Sequence, residues 1–318
     1  MNPAKVRPMP TPADISADIR AALPRIAPYI QRTPVLTAHL PGLDYPVQIK
    51  LENCQITGSF KARGAFYTLL STPVPAGGVV AASGGNHGAA VAHAARTLGH
   101  RAHIFVPEFA GPAKIGLIRA TGADLTISPG TYQDSLDKAL AYAAETGAMQ
   151  IHAYDAPATL TGQGTLALEW DEQGLDADTV LIAVGGGGLI GGALAYWQGA
   201  RKVVAVEPEL APTLHMALKH GPDTAVAVSG IAANALGARV IGRMCYDLVR
   251  AQNVPSLLVT DPAIAQAQHL LWDRLRQYVE PAGATALAAL LSGVYIPAAG
   301  EKIAVLVCGA NPGPGPFG

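Results

Sequence analysis

The stretch Thr179-Val180-Leu181-Ile182-Ala183-Val184 runs straight into Gly185-Gly186-Gly187-Gly188, and it limits the fold more than any other part of the chain. An uncharged run with no polar alternation suits a strand covered on both faces. Such strands belong to parallel sheets, whose neighbours are joined by crossover connections, usually helices. The rest of the sequence supplies that pattern. Strand-forming runs recur at Val47–Glu52, Gly78–Ser83, Ala102–Pro107, Asp124–Ser128, Gln150–Tyr154, Lys202–Glu207, Ser256–Thr260 and Lys302–Val307. Helical stretches, many rich in alanine, lie among them at Gly88–Leu98, Gly111–Ala120, Asp134–Thr146, Ala263–Gln277 and Ala284–Leu291. An earlier helix is expected to start at Thr11-Pro12-Ala13-Asp14 and stop near Pro24. The alternation predicts an α/β chain of doubly wound open sheets.

The length of 318 residues allows two domains or one large unit. Only 14% of residues are charged and the net charge is −1, so nucleic acid and anionic membrane are not expected partners. The longest apolar stretch, Val180–Trp197, holds six glycines and reads as a buried strand and turn rather than a membrane span. The cysteines Cys54, Cys245 and Cys308 are scattered, odd in number and without metal-ligand spacing. They fit a reducing compartment. Met1–Pro12 has no apolar signal core, so a cytoplasmic location is expected. The tail after Asn311 is too short for an appended regulatory domain.

Several segments carry possible chemistry. In Thr57-Gly58-Ser59-Phe60-Lys61-Ala62-Arg63-Gly64-Ala65 a lysine lies between an aromatic and small residues, a setting in which an amine can lose its proton and attack a carbonyl. The bland alternative is a solvated lysine at a helix start. Ser83-Gly84-Gly85-Asn86-His87-Gly88 follows a strand and opens a helix, where ligands of open α/β folds bind. Its amides and hydroxyl could hold a carboxylate, or it could be a plain turn. Gly185 to Leu189 could wrap a phosphate at a helix N-terminus. Gly186-Gly187-Gly188-Leu189-Ile190-Gly191 also satisfies G-x-G-x-x-G, with Glu207 ending the next strand, so an NAD-dependent oxidoreductase is a rival reading. That reading gives Lys61 and Asn86 no role. Glu280-Pro281-Ala282-Gly283-Ala284 opens a late helix, where Glu280 could be a capping acid. Cys308-Gly309-Ala310-Asn311 ends the last strand, where Cys308 could simply fill core space.

Together these segments resemble the serine/threonine dehydratase and serine racemase family, of the tryptophan-synthase-β-like pyridoxal-5'-phosphate (PLP) fold. The likeness runs from about Ile19 to Asn311 and includes Leu51-Glu52-Asn53, Gly162-Gln163-Gly164-Thr165 and Val206-Glu207-Pro208. It implies two doubly wound open-sheet domains: a large PLP-binding domain from residues 1–72 and 154–318, and a small mobile domain from 73–153. It implies that Lys61 holds PLP as a Schiff base and that Phe60 flanks the cofactor. Asn86 would bond the ring hydroxyl, Gly185, Gly186, Gly187, Gly188 and Leu189 would cradle the phosphate, and Cys308 would face the pyridine nitrogen, with Glu280 also at the cofactor. Ser83, Gly84, Gly85, Asn86 and His87 would clasp the substrate carboxylate. A homodimer acting on a small amino acid is expected, by dehydration and deamination of L-threonine or L-serine to 2-oxobutyrate or pyruvate.

Departures from the family pattern choose among its branches. The racemases carry a serine where this chain has Gly84, and that serine returns a proton from the opposite face. Glycine cannot, so racemisation is disfavoured. A divalent-metal site in some members uses the glutamate of Val-Glu-Pro and an acid six residues later. Glu207 is present but Thr213 takes the second place, so no metal is expected and Glu207 stays a weak candidate. Asn234-Ala235 replaces a common Asp-Ser beside the substrate, which leaves open other β-hydroxy amino acids such as a hydroxyaspartate, and a non-catalytic PLP-binding protein.

Overall fold

The structure, a computed structural model, describes residues 12–108, 110–130 and 132–311. Among the described residues, ten strands form two sheets. They are β1 (Val35–His39), β2 (Pro46–Leu51), β3 (Val79–Ala82), β4 (Ala102–Pro107), β5 (Asp124–Ser128), β6 (Met149–Gln150), β7 (Thr179–Ala183), β8 (Lys202–Pro208), β9 (Ser256–Val259) and β10 (Ile303–Val307). The six-stranded sheet has the order β1-β2-β10-β7-β8-β9, and the four-stranded sheet β5-β4-β3-β6. Every pairing is parallel except β1 with β2. The apolar strands take the interior positions: β7, β10 and β3 are buried at every residue, whereas the edge strands β1 and β5 are not. Among the described residues, no helix is long and apolar enough to cross a membrane.

Three local expectations are corrected. The run Gln150–Tyr154 forms a strand only at Met149–Gln150. Past Ile151 the chain turns, because His152 Nδ1 accepts the backbone N–H groups of Tyr154 and Asp155 at 3.3 and 2.8 Å. The first helix does not stop at Pro24 but runs over Pro12–Ile26; its expected cap Thr11 lies outside the described residues. Proline there removes one intrahelical bond, and the fully buried Ile19, Ala22 and Ile26 hold the last turn by packing. The edge strand β1 has no counterpart among the expected strands.

The helix Pro157–Glu172 is also new, and it organises the larger half of the molecule. It packs against the helices Lys61–Ser71 and Gly188–Trp197 with backbones nearly touching. A Cβ on Gly162 would lie 2.6 Å from Gly64 Cα, and one on Gly192 2.6 Å from Gly164 N. No side chain larger than hydrogen fits at either crossing.

A buried charge network ties the same helices to β2. Arg63 donates to Glu52 Oε1 at 2.8 Å and to Glu169 Oε2 at 3.0 Å. Lys50 Nζ lies 2.6 Å from Glu169 Oε1 and 2.6 Å from Gln173 Oε1. Lys50, Glu52 and Arg63 have no solvent exposure, and burial pushes the Lys50 pKa down, only partly offset by Glu169. A buried charge stripped of its partner costs several kcal/mol. Glu169→Ala should therefore destabilise the protein by ~3–5 kcal/mol, seen as a large fall in thermal midpoint. Lys50→Met combined with Glu169→Met, which removes the uncompensated charge, should recover part of the loss. An unchanged midpoint for Glu169→Ala would show that the network does not hold these helices.

Candidate active site

Loops at the carboxyl ends of β3, β7 and β10 carry residues 83–87, 185–189 and 308–311, and hydrogen bonds join the first and last of these, and the last to the segment 57–61. The lysine loop and the end of β10 are zipped by their backbones. Phe60 N donates to Cys308 O at 3.3 Å, Ala310 N donates to Gly58 O at 2.8 Å, and Ser59 forms a bridge with Gly309. Segments far apart in the chain are thereby fixed against each other without any side chain. The 2.8 Å bond from Asn311 Nδ2 to Thr57 O, across a sequence separation of 254, adds to the same junction.

Lys61 opens the helix Lys61–Ser71. Its Nζ donates to Ala153 O at 2.7 Å and lies 5.1 Å from the Phe60 ring centroid. Burial lowers its pKa to about 8, with the nearby Cys308 and Glu280 acting in the other direction. A fraction of the amine is thus neutral near physiological pH, where an ordinary lysine is almost wholly charged, and the neutral form is the one a nucleophile or base requires. Beside it Ser59 Oγ is buried without a hydrogen-bond partner.

Asn86 begins the helix Asn86–Thr97. Its Nδ2 donates to Glu280 Oε1, and its Oδ1 accepts from Asn311 Nδ2 at 2.8 Å. Glu280 precedes the helix Pro281–Leu291 but does not cap it; its carboxylate turns to Asn86 instead. Cys308 is buried, and its thiol donates to Ala282 O at 3.4 Å. Burial, with Glu280 nearby, pushes the thiol pKa up, so the sulfur stays protonated. His87 Nε2 lies 2.9 Å from Ile151 O, and burial lowers its pKa to about 3. The neutral ring therefore donates to that carbonyl, and only the backbone of residue 87 is left to meet an anion. Ser83 Oγ accepts from Gly85 N at 3.2 Å.

The glycine run enters the helix Gly188–Trp197 through Gly187, whose φ of 92° disfavours any side chain. A Cβ there would come within 2.6 Å of Cys245 Cβ, and one on Gly186 would overlap the Tyr154 ring. The first N–H groups of this helix have no acceptor within it, so this edge is one that could meet an anion. Tyr154, missed among the candidate site residues, packs over this edge, with its hydroxyl donating to Val240 O at 3.2 Å. The signal available was its position just after the last strand of the small sheet, though an aromatic there equally suggests core. Gly84 sits against β4: a Cβ there would overlap Ala110 Cβ and lie 2.9 Å from Val106 Cγ1.

Glu207 stands apart. It is fully buried and accepts the backbone N–H groups of Leu214 and His215 at 2.7 and 2.8 Å, capping the helix Thr213–His220. Burial raises its pKa to about 7. Its carboxylate is committed to these N–H groups and to Ser256 Oγ and is closed to solvent, so it is not available as the acid that the dinucleotide reading needed. Thr213 Oγ1 is committed to Ala238 O at 2.6 Å. Among the described residues no group of three or more His, Cys, Asp or Glu converges as a metal-ligand set.

Comparison with known proteins gives a consistent picture. The family described as pyridoxal-phosphate dependent enzyme matches residues 26–309. A phenylserine dehydratase of Ralstonia pickettii is 36% identical over 306 residues, covering 94% of this chain and 93% of the relative. The solved structure of a T.th. threonine deaminase superposes with a TM-score of 0.86 at 35% identity, covering 94% of this chain and 99% of the other. Maize serine racemase gives a TM-score of 0.86 at 32% identity, covering 95% of each chain. The two-sheet α/β fold expected from the sequence is the fold of these structures.

The lowered pKa of Lys61 is directly testable. Only the neutral amine reacts with an aldehyde, so reductive methylation of Lys61 in the apoprotein should rise as pH climbs through about 8. Surface lysines should follow only near their usual value of about 10.4. Peptide mapping reads both at once. A Lys61 profile that tracks the surface lysines would mean that burial does not act on this amine.

Proposed function

The chain belongs to the pyridoxal-phosphate-dependent enzymes, and on that footing we propose that it is a lyase removing water and ammonia from a small hydroxy amino acid, L-threonine or L-serine. The products are 2-oxobutyrate or pyruvate plus ammonia. The observation that carries this reading over racemisation is Gly84. It stands where the racemases of the family bear a serine, and the space a side chain would need is filled by Ala110 and Val106. With no group there to return a proton to the opposite face, elimination is the open course.

The residues present suit PLP. An amine of lowered pKa lies beside the Phe60 ring, a Cβ-free edge of N–H groups can take a phosphate, and the buried Ser59 hydroxyl still lacks a partner. When bound, PLP supplies an electron sink for the charge left at Cα after its proton is removed. Lys61 would hold the cofactor through Nζ, and the same nitrogen would take the Cα proton of the substrate. Its lowered pKa keeps it able to do so near pH 8. Gly185 to Leu189 would hold the phosphate, Asn86 would bond the ring hydroxyl, and the neutral Cys308 thiol, which donates to Ala282 O in this structure, would lie at the ring nitrogen without forcing a proton onto it. Glu280 holds Asn86 by its carboxylate. Ser83 and the backbone of residues 84–87 bind the substrate carboxylate. The β-hydroxyl leaves as water, and hydrolysis of the released product returns one water and frees ammonia.

In this reading residues 73–153 close over the substrate as the small domain, and 1–72 with 154–318 form the large one. We further propose a cytoplasmic homodimer, in line with three free cysteines and the habit of the family; light scattering tests the dimer.

The decisive experiment gives the holoenzyme L-threonine, L-serine and 3-phenylserine, and measures 2-oxo acid, ammonia and the D-isomer of each substrate. Equimolar 2-oxo acid and ammonia with little D-isomer is expected. Fast D-serine formation without 2-oxo acid would reverse the assignment, and turnover confined to phenylserine would move the substrate class to aromatic β-hydroxy amino acids. Activity should survive EDTA, since Glu207 is consumed in capping; a loss that magnesium restores would contradict that.

A further inference from the structure

The orientation of Asn86 is the least secure feature that the proposed chemistry needs. A side-chain amide can rotate by half a turn and exchange its oxygen and nitrogen at little steric cost, and only hydrogen bonds choose between the two states. We propose that Asn311 is the positioning residue that makes this choice. This deepens the preceding assignment of Asn86 to the cofactor and rests on it.

The geometry is specific. Asn311 Nδ2 donates to Asn86 Oδ1 at 2.8 Å and to Thr57 O at 2.8 Å, which uses both of its N–H bonds. Asn86 Nδ2 gives one N–H to Glu280 Oε1. Asn86 thus sits between a pure donor on its oxygen side and a carboxylate acceptor on its nitrogen side. A flipped amide would set oxygen against carboxylate and NH2 against NH2, losing both bonds. The second Nδ2–H of Asn86 is therefore held on one side, ready for a ligand acceptor. Glu280 alone could hold the nitrogen; Asn311 adds the demand for oxygen opposite. Asn311 is itself fixed by Thr57, a non-glycine residue at φ 65° in the turn that leads to Lys61.

The arrangement also crosses the two sheets. Asn86 opens a helix of the β3–β6 sheet, whereas Asn311 and Glu280 follow elements of the larger sheet. The backbone zip between residues 58–60 and 308–310 does not involve the Asn311 side chain, so truncating it should leave the fold intact.

The test uses the holoenzyme and reads PLP affinity and the absorbance of the bound cofactor. Asn311→Ala should weaken PLP binding by roughly 3- to 10-fold, the worth of about one net hydrogen bond, and shift the absorbance, with the thermal midpoint of the apoprotein little changed. Asn311→Asp, which sets an acceptor against Asn86 Oδ1, should do more. In an Asn86→Ala background Asn311→Ala should add nothing to the loss of affinity, because its action passes through Asn86. Unchanged affinity and absorbance in both Asn311 variants, or losses that simply add in the Asn86→Ala background, would overturn the proposal. Neither readout depends on which substrate is used, so a failed dehydratase assay leaves this test standing. A failure of PLP to bind the unmodified protein would instead strike the preceding assignment and this inference together.

Discussion

The buried group of Lys50, Glu52, Arg63 and Glu169 is the constraint on which the rest of the structure depends. Two cations and two anions are sealed from water, so each must find its partner inside the protein. Glu169 is the hinge of the set: one oxygen takes Lys50 from β2 and the other takes Arg63 from the helix Lys61–Ser71. Thr33 N and Gln55 Nε2 fill remaining acceptor positions on Glu169 and Glu52. Such a network contributes little net stability against an apolar core, but it tolerates few wrong arrangements. Since Arg63 lies two residues beyond Lys61, fixing the guanidinium fixes the first turn of the helix that presents the amine. Charge pairing behind the Lys61 amine thus adds to the backbone zip and to the bond from Nζ to Ala153 O in placing it.

How much of this was readable in the sequence follows from the range of the interactions. The largely apolar strands β7, β8 and β10 were legible, because burial on both faces leaves a local imprint. The helix Pro157–Glu172 was not. Gly162-Gln163-Gly164-Thr165 at its centre reads as a turn by propensity, since glycine disfavours a helix interior. Tertiary packing overrides that preference: the glycines are there to admit Gly64 and Gly192 at backbone distance. Strand β1 fails for the opposite reason, as a short edge strand with partly exposed residues carries no clean period. The charge network was invisible because its members are up to 119 residues apart.

The site divides along the same line. Lys61, the glycine run and the loop at Ser83 to His87 each carry a local anomaly that composition reveals. Glu280 does not: its position before Pro281 suggests a cap, and only the folded chain turns its carboxylate to Asn86, 194 residues away. The imidazole of His87 is a similar case. In sequence it is a possible cation for a carboxylate, whereas burial, with Lys61 nearby, holds it neutral despite the bond to Ile151 O. Tyr154 became a site residue only through its contact with Gly186 and Gly188.

These choices leave an unusual charge balance around Lys61. The segments 57–61, 83–87, 185–189 and 308–311 contain no arginine and no lysine besides Lys61 itself. Cys308 and His87 are held neutral by burial, whereas Glu280 acts to raise the pKa of the amine. In the proposed reading a phosphate and a substrate carboxylate enter this region and are met by backbone dipoles instead of ions. An arginine on the phosphate would bind it more firmly, but a second cation close to Lys61 would press its pKa further down and weaken it as a base. Backbone N–H groups supply attraction without adding a titrating or mobile charge. The four glycines are then a condition of the lysine's chemistry: they allow an anion to be held close to an amine whose proton affinity is set by burial and by Glu280.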